Sequence, residues 1–154
     1  MTKYILKRIL IAIPTDQKIT AEAFSKITKD GIKLILISNV PDGLRPGDYV
    51  TCVSINEHSH GQNMGHGLGE YMRQHNLKNY GMIVHGADFY ATSQRDNAAK
   101  QVLSEEYPSL HLCETVRFGK EDEVYKKAGE LIRRYPEIEA LYISWDGPAM
   151  GVIA

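Results

Sequence analysis

The sequence predicts an α/β protein built from parallel sheets with flanking helices. Short apolar, β-branched runs alternate with longer segments of helical periodicity, which is typical of βαβ units. The chain has 154 residues, 43% of them hydrophobic, so it can bury a core of its own without disulfides. Polar and aromatic side chains follow the predicted strands, at the place where open parallel sheets bind ligands.

Six segments are predicted strands because apolar and β-branched residues dominate each of them. They are residues 9–13, 33–37, 49–54, 80–85, 111–116 and 141–145. Residues 1–8 are interpreted as the end of a helix that leads into the first strand. The helix predicted over residues 20–29 ends before Gly31, a residue suited to the left-handed conformation that closes many helices.

The helix predicted over residues 60–75 carries Gly61, Gly65 and Gly69 at four-residue spacing. Glycine weakens a helix, so this spacing indicates a bare face that approaches another backbone closely. We expect that face to pack on a sheet.

Two amphipathic crossover helices are predicted over residues 95–106 and 122–134. The first ends at Tyr107-Pro108, and the second has Arg133 and Arg134 at its C-terminal end, where the helix dipole favours cations. A last helix begins near Pro148.

Composition argues against several classes of partner. The formal net charge is −1 and the charges are interspersed, which gives no electrostatic footprint for nucleic acid or an anionic membrane. Cys52 and Cys113 are interpreted as buried free thiols. The sequence shows neither a secretory signal nor an apolar run long enough to cross a membrane, so the chain as given is expected in the cytoplasm.

The residues at the ends of the predicted strands and just after them are the candidate ligand contacts. They include Asp16, Ser38, Asn39, Glu57, His85, Phe89, Phe118, Trp145 and Asp146. Amide, carboxylate and aromatic groups together suit a small polyhydroxylated ligand, because polar groups pair with hydroxyls and aromatic faces stack on a sugar ring. Each residue taken singly also suits a helix cap or a turn.

Three sequence patterns that could indicate an enzyme are weaker than the evidence for a ligand site. Glu57, His58, His60 and His66 cluster in sequence without the spacing of a known metal-ligand set. The run 65–70 departs from a dinucleotide-binding loop because Glu70 stands where the third glycine belongs. The sequence contains no nucleophile elbow of the Gly-x-Ser-x-Gly type. We therefore predict no catalytic residue, no metal and no cofactor, and expect the protein not to be an enzyme.

Four stretches carry a resemblance to a known family. They are GIKLILISNVP at 31–41, HGADF at 85–89 with QRD at 94–96, YP at 107–108, and YPEIEALYISWDGPA at 135–149. In order and spacing they resemble sugar-binding proteins of the ribose type, which have the type I periplasmic-binding-protein fold. The effector-binding domains of lactose-repressor-like regulators share that fold.

The resemblance implies two Rossmann-like lobes joined by hinge crossovers, with a sugar held between them. Residues 1–55 then correspond to part of the first lobe and the hinge crossover, and residues 56–154 to part of the second lobe. The chain is interpreted as a central fragment of such a protein.

The resemblance also suggests site residues. Arg95 matches an arginine that binds sugar hydroxyls from the start of a second-lobe helix, and Phe118 matches an aromatic residue that packs on the sugar ring. Trp145 replaces an asparagine ligand of ribose binders, and Asp146 is similar to the acidic residue beside it. Ser38 and Asn39 replace an acidic and a basic ligand, which argues against ribose itself. An alternative for Arg95 is a structural ion pair with Asp88 or Asp96.

Two functions remain open at this point. The first is sugar binding within a periplasmic or extracellular receptor, which closes on its ligand by hinge motion and delivers it to the membrane permease of an ABC transporter. The alternative is the ligand-sensing domain of a lactose-repressor-like transcription regulator. Exposed sheet edges predict a homo-oligomer, and the incomplete cleft predicts weak sugar affinity.

Overall fold

The computed structural model describes residues 17–87 and 89–153, and it divides the chain into two compact units, Met1–Ile55 and Asn56–Ala154. The strand predicted over residues 9–13, the helix end predicted over residues 1–8 and the candidate ligand Asp16 lie outside the described residues. No described helix has the length and apolar character needed to span a bilayer.

The first unit contains helix α1 (Gln17–Lys29) and the parallel strands β1 (Ile35–Ile37) and β2 (Thr51–Val53). Helix α1 ends as predicted, because Gly31 adopts a φ of 77° and its N–H donates to the carbonyl of Thr28 at 2.9 Å. In the described part of the first unit, the side chains of Ala21 and Phe24 on α1 and of Leu36 on β1 are buried. Both observed strands are shorter than the predicted ones, which covered residues 33–37 and 49–54.

The second unit has a three-stranded parallel sheet with the order β4-β3-β5. Its elements are α2 (Glu57–Gln74), β3 (Asn79–His85), α3 (Tyr90–Glu106), β4 (His111–Phe118), a 3₁₀ turn (Glu121–Glu123), α4 (Val124–Arg134), β5 (Ala140–Ile143) and α5 (Asp146–Ile153). The alternation of strands and helices confirms the predicted α/β class.

Strand β3 is the central strand of the sheet. Its side chains alternate between two apolar clusters, one on each face. Tyr80, Met82 and Val84 pack with side chains of α2 and α3 on one face of the sheet. Ile83 packs on the other face, with Val124, Ala128 and Leu131 of α4 and Phe118 of β4. The central strand is therefore covered on both sides, as its continuous apolar run predicts.

The glycine face of α2 lies against α3, so the expectation that it packs on a sheet is wrong. A Cβ atom at Gly65 would lie 2.8 Å from the carbonyl oxygen of Ala99, and one at Gly69 would lie 2.5 Å from the ring of Tyr107. The missing side chains let two helix backbones approach each other. Met64, Leu68 and Met72 of α2 instead pack against the cluster that contains Tyr80, Met82 and Val84 of β3.

Candidate functional site

The carboxyl ends of the three strands of the second unit meet at one edge of the sheet. His85 ends β3 and is paired in register with Phe118, which ends β4. The N–H of Gly86 donates to the carbonyl of Phe118 at 2.7 Å, so the two strand ends are tied together. Strand β5 leads through Ser144 to Trp145 on the other side of β3. This edge is where an open parallel sheet binds ligands.

Four aromatic rings gather at this edge, with the imidazole of His85 at the centre. This imidazole stacks on Phe89 at 5.1 Å between centroids and meets Phe118 edge-on at 5.3 Å. Trp145 is tilted against both, 5.7 Å from His85 and 5.2 Å from Phe118. These separations are those of favourable aromatic pairs. Phe118 is only 1% exposed, whereas the other three rings are half-buried, so Phe118 forms the floor of the cluster.

The orientation of Trp145 is fixed from outside the sheet. Its indole Nε1–H donates to Oε1 of Glu121 at 3.0 Å, from the 3₁₀ turn that follows β4. An indole nitrogen can only donate, so this bond decides which edge of the ring faces the turn. The ring faces remain the part of Trp145 that an apolar surface can contact.

Arg95 is held by a buried carboxylate beside the aromatic cluster. Its Nε and Nη2 atoms both donate to Oε2 of Glu57, at 3.0 and 2.6 Å, and its Nη1 donates to the carbonyl oxygen of Ser144 at 3.0 Å. The side chains are 13% and 6% exposed. The first residue of α2, the second turn of α3 and the end of β5 are thus joined at one guanidinium.

A second buried network lies next to this ion pair. The hydroxyls of Tyr142 and Ser144 donate to the two oxygens of Asp96, at 2.9 and 2.8 Å. Burial raises the pKa of the Asp96 carboxyl, and the two hydroxyl bonds and the charge of Arg95 oppose that rise. Burial and the nearby negative charge likewise raise the pKa of Tyr142. The network ties α3 to β5 and fixes the segment that carries Trp145.

The structure brings together Arg95, Phe118, Trp145 and Phe89 from the predicted site. Asp146 is the exposed first residue of α5 and follows Trp145 directly. The predicted helix start at Arg95 is wrong, because α3 begins five residues earlier at Tyr90. The alternative pairing of Arg95 with Asp96 is wrong too: the carboxylate that Arg95 contacts is Glu57, and Asp96 accepts from two hydroxyls. The other alternative partner, Asp88, lies outside the described residues.

Ser38 and Asn39 belong to the first unit, where they follow β1. Ser38 has a φ of 69°, which is uncommon for a residue with a side chain. Its N–H donates to the carbonyl of Val53 at 2.8 Å, and its own carbonyl accepts from the hydroxyl of Ser54 at 3.2 Å. The turn after β1 is therefore tied to the end of β2.

Glu57 and His85 are among the candidate ligand contacts that the sequence predicts, but the family resemblance assigns neither of them a role. The signal was present, because both residues stand among polar groups near strand ends. Tyr142, Ser144 and Asp96 gave no such signal, since the bonded partners are 46 and 48 residues apart.

The histidine cluster does not form a metal site in the described part of the chain, where no group of three or more potential ligands converges. His66 contacts Glu106 of α3 at 3.7 Å, while His60 lies 4.0 Å from Glu57. Helix geometry and the α2–α3 contact therefore send these side chains to different partners.

Fold and geometry together define an α/β unit whose candidate ligand site lies at the carboxyl edge of a parallel sheet. The family described as periplasmic binding protein domain matches residues 8–154. The chain belongs to this family of solute-binding proteins, which confirms the resemblance found in the sequence.

Solved structures share the fold at low sequence identity. An ABC transporter periplasmic solute-binding protein from Actinobacillus succinogenes with bound D-allose is 19% identical, with a TM-score of 0.77 over 91% of this chain and 50% of that one. An arabinose-binding protein from Geobacillus stearothermophilus is 13% identical, with a TM-score of 0.72 over 89% and 46%.

A third structure is an ABC transporter solute-binding protein from Burkholderia graminis in complex with D-arabinose. It is 16% identical, with a TM-score of 0.72 over 89% of this chain and 46% of that one. The chain therefore spans about half the length of these structures. Among curated protein sequences, none matches it significantly.

Proposed function

We propose that this chain binds a sugar as part of an ABC-transporter solute-binding protein, and that the second unit supplies one wall of the cleft. The observation that carries the proposal is the juxtaposition of Trp145, His85 and Phe89 with the Arg95–Glu57 pair at one sheet edge. Half-buried ring faces suit the apolar faces of a pyranose or furanose, and the ion pair offers both a donor and an acceptor to hydroxyls.

The two units then correspond to parts of the two lobes: residues 1–55 to the first lobe with the hinge crossover, and 56–154 to the second. In this proposal Asp16, Ser38 and Asn39 contribute contacts from the first lobe, and Asp146 contributes a carboxylate from the second. Ligand capture is hinge closure without a covalent step, so the protein has no catalytic activity. The partners of the parent protein are a periplasmic or extracellular sugar and a membrane permease.

The solved structures support a transport role over a regulatory one. All three described above are sugar-binding proteins, and two are named as ABC transporter components. The alternative, a ligand-sensing domain of a lactose-repressor-like regulator, gains no support from them.

Trp145 provides a direct test of sugar binding because it is the only tryptophan of the chain. We expect at least one sugar in a panel of pentoses and hexoses, D-allose and arabinose included, to change its fluorescence saturably at millimolar concentration. We expect the affinity to be weak because the chain spans about half the length of the solved sugar-binding proteins and so supplies only part of a cleft. Calorimetric titration with the same sugar gives the affinity independently.

The Arg95→Met variant should lose most of this response, while Tyr125→Ala, at an exposed position on α4, should retain it. Glycerol at equal concentration controls for bulk effects of polyols. A panel that leaves both fluorescence and heat unchanged would refute sugar binding by this chain, and micromolar affinity would refute the view that the cleft is incomplete.

We also propose that the chain self-associates through its exposed sheets. Ile35, Ile37 and Val53 of the two-stranded sheet are 55%, 52% and 60% exposed. Apolar side chains on a short open sheet favour association with another copy.

Sedimentation velocity should therefore show a dimer or larger species at micromolar concentration. Ile37→Lys should shift the distribution toward the monomer, because a charge on this face opposes its burial. Tyr125→Lys, which changes an exposed residue of the other unit, should not. A compact monomer at all concentrations would contradict self-association.

A further inference from the structure

The Glu57–Arg95 pair has an unusual distribution of hydrogen bonds. A single oxygen of Glu57, Oε2, accepts from two guanidinium nitrogens. The guanidinium has five N–H groups, and its contacts with Glu57 and Ser144 use three of them. One N–H on Nη1 and one on Nη2 remain without a partner among the described residues. Arg95 can therefore donate to a ligand without releasing Glu57.

The charge of Arg95 is already balanced inside the protein. Glu57 is 6% exposed and Arg95 is 13% exposed, so water screens their interaction poorly. The imidazole of His60 lies 4.0 Å from the same carboxylate oxygen but is 45% exposed. A ligand that reaches the guanidinium thus meets a neutral pair, and an anionic ligand also meets the negative charge of Glu57.

We propose that Glu57 is a specificity-determining residue that keeps Arg95 from binding anions. As an internal counter-ion it turns the arginine into a hydrogen-bond donor for uncharged hydroxyls, and it excludes phosphorylated or acidic sugars by like-charge repulsion. The inference rests on the proposed sugar site for its physiological ligand. Its central element, the masking of Arg95, can be tested without any sugar.

The first experiment measures binding of inorganic phosphate at low ionic strength, by calorimetry and by Trp145 fluorescence. Wild-type protein should bind phosphate negligibly. Glu57→Gln, which removes the charge and keeps the shape, should bind it at least about tenfold more tightly. Glu57→Ala is the second uncharged variant, and circular dichroism checks that both variants are folded before phosphate is added. The gain should disappear in Glu57→Gln/Arg95→Met, which shows that Arg95 is the anion's partner.

Glu70→Gln is the matched control because Glu70 pairs with Arg73 on the same helix, but at the surface. We expect no gain of phosphate binding there. Equal phosphate affinity in wild type and in both uncharged variants at Glu57 would overturn the inference, as would a gain that survives the loss of Arg95.

A second comparison uses galactose and galacturonate, which differ by one carboxylate. If the proposed site accepts either, wild type should prefer galactose and Glu57→Gln should reduce or reverse the preference; an unchanged preference would overturn the inference. If no sugar of the whole panel binds any variant while Glu57→Gln still gains phosphate, the proposed sugar function fails and the masking of Arg95 stands.

Discussion

Gly61→Ala is expected to destabilise the second unit by about 3 kcal/mol, at the upper end of the usual cost of overpacking. A Cβ atom at this position would overlap the Cα and the carbonyl group of Arg95 on α3. Both contacts are backbone atoms, which cannot move aside by changing rotamer. The helices must therefore separate, and the separation also displaces the residue that binds Glu57.

Gly67→Ala is the matched control, since the two glycines lie six residues apart in α2. A Cβ atom at Gly67 would meet nothing within 4 Å. Alanine is favoured over glycine in a helix by about 1 kcal/mol, so this variant should be more stable than wild type. The effect of a Gly→Ala substitution on the free energy of unfolding thus has opposite signs at two positions of one helix.

Urea unfolding followed by Trp145 fluorescence measures both effects, because the tryptophan lies in the unit that contains α2. A Gly61→Ala protein as stable as Gly67→Ala would show that α2 and α3 do not touch at this position. Circular dichroism at 222 nm should report the same order of stability.

Glu57→Ala is expected to lower the stability of the second unit by about 3 kcal/mol, the low end for breaking a buried ion pair. Removal of the carboxylate leaves a largely buried guanidinium with the carbonyl of Ser144 as its remaining close acceptor. Arg95→Ala should cost a similar amount, because Glu57 is then buried without its cation. The double variant should cost much less than the sum of the two.

The Glu70–Arg73 pair is the control for this cycle. Its two bonds of 2.7 and 3.0 Å join both carboxylate oxygens to the guanidinium, a better geometry than that of the buried pair. Its side chains are 41% and 66% exposed, however, so solvent screens the charges. Glu70→Ala should leave the unfolding midpoint within error of wild type.

Additive effects of Glu57→Ala and Arg95→Ala would contradict the ion pair. This stability cycle requires no ligand, so it tests the geometry of the site apart from the sugar that it is proposed to bind. If the two substitutions are strongly coupled but no sugar binds, the ion pair is confirmed and the proposed function is wrong.

Much of the fold could be predicted because its signals are local. All five described strands overlap predicted ones, since each lies in a short run of apolar and β-branched residues, which is a local signal. Boundaries were less accurate. Helix α3 begins at Tyr90 rather than at Arg95. The sequence did not mark this start, because the residue before the helix is Phe89, which makes no side-chain capping bond.

The site was predicted in part. Trp145, Phe89 and Phe118 converge because parallel strands end at the same edge of a sheet, which is a rule of topology. The burial of Phe118 could not be read from the sequence, since it depends on how Trp145 and His85 cover its ring.

The sequence by itself determined the class of fold, the order of the elements and the end of the sheet where the candidate site lies, because hydrophobic period and chain order are local properties. Only the tertiary structure decided that the glycines of α2 meet α3 and that Arg95 is neutralised by Glu57. Both facts are contacts between residues 34 or more positions apart. Such pairings depend on how helices are placed against one another, and residue spacing along one chain does not specify that.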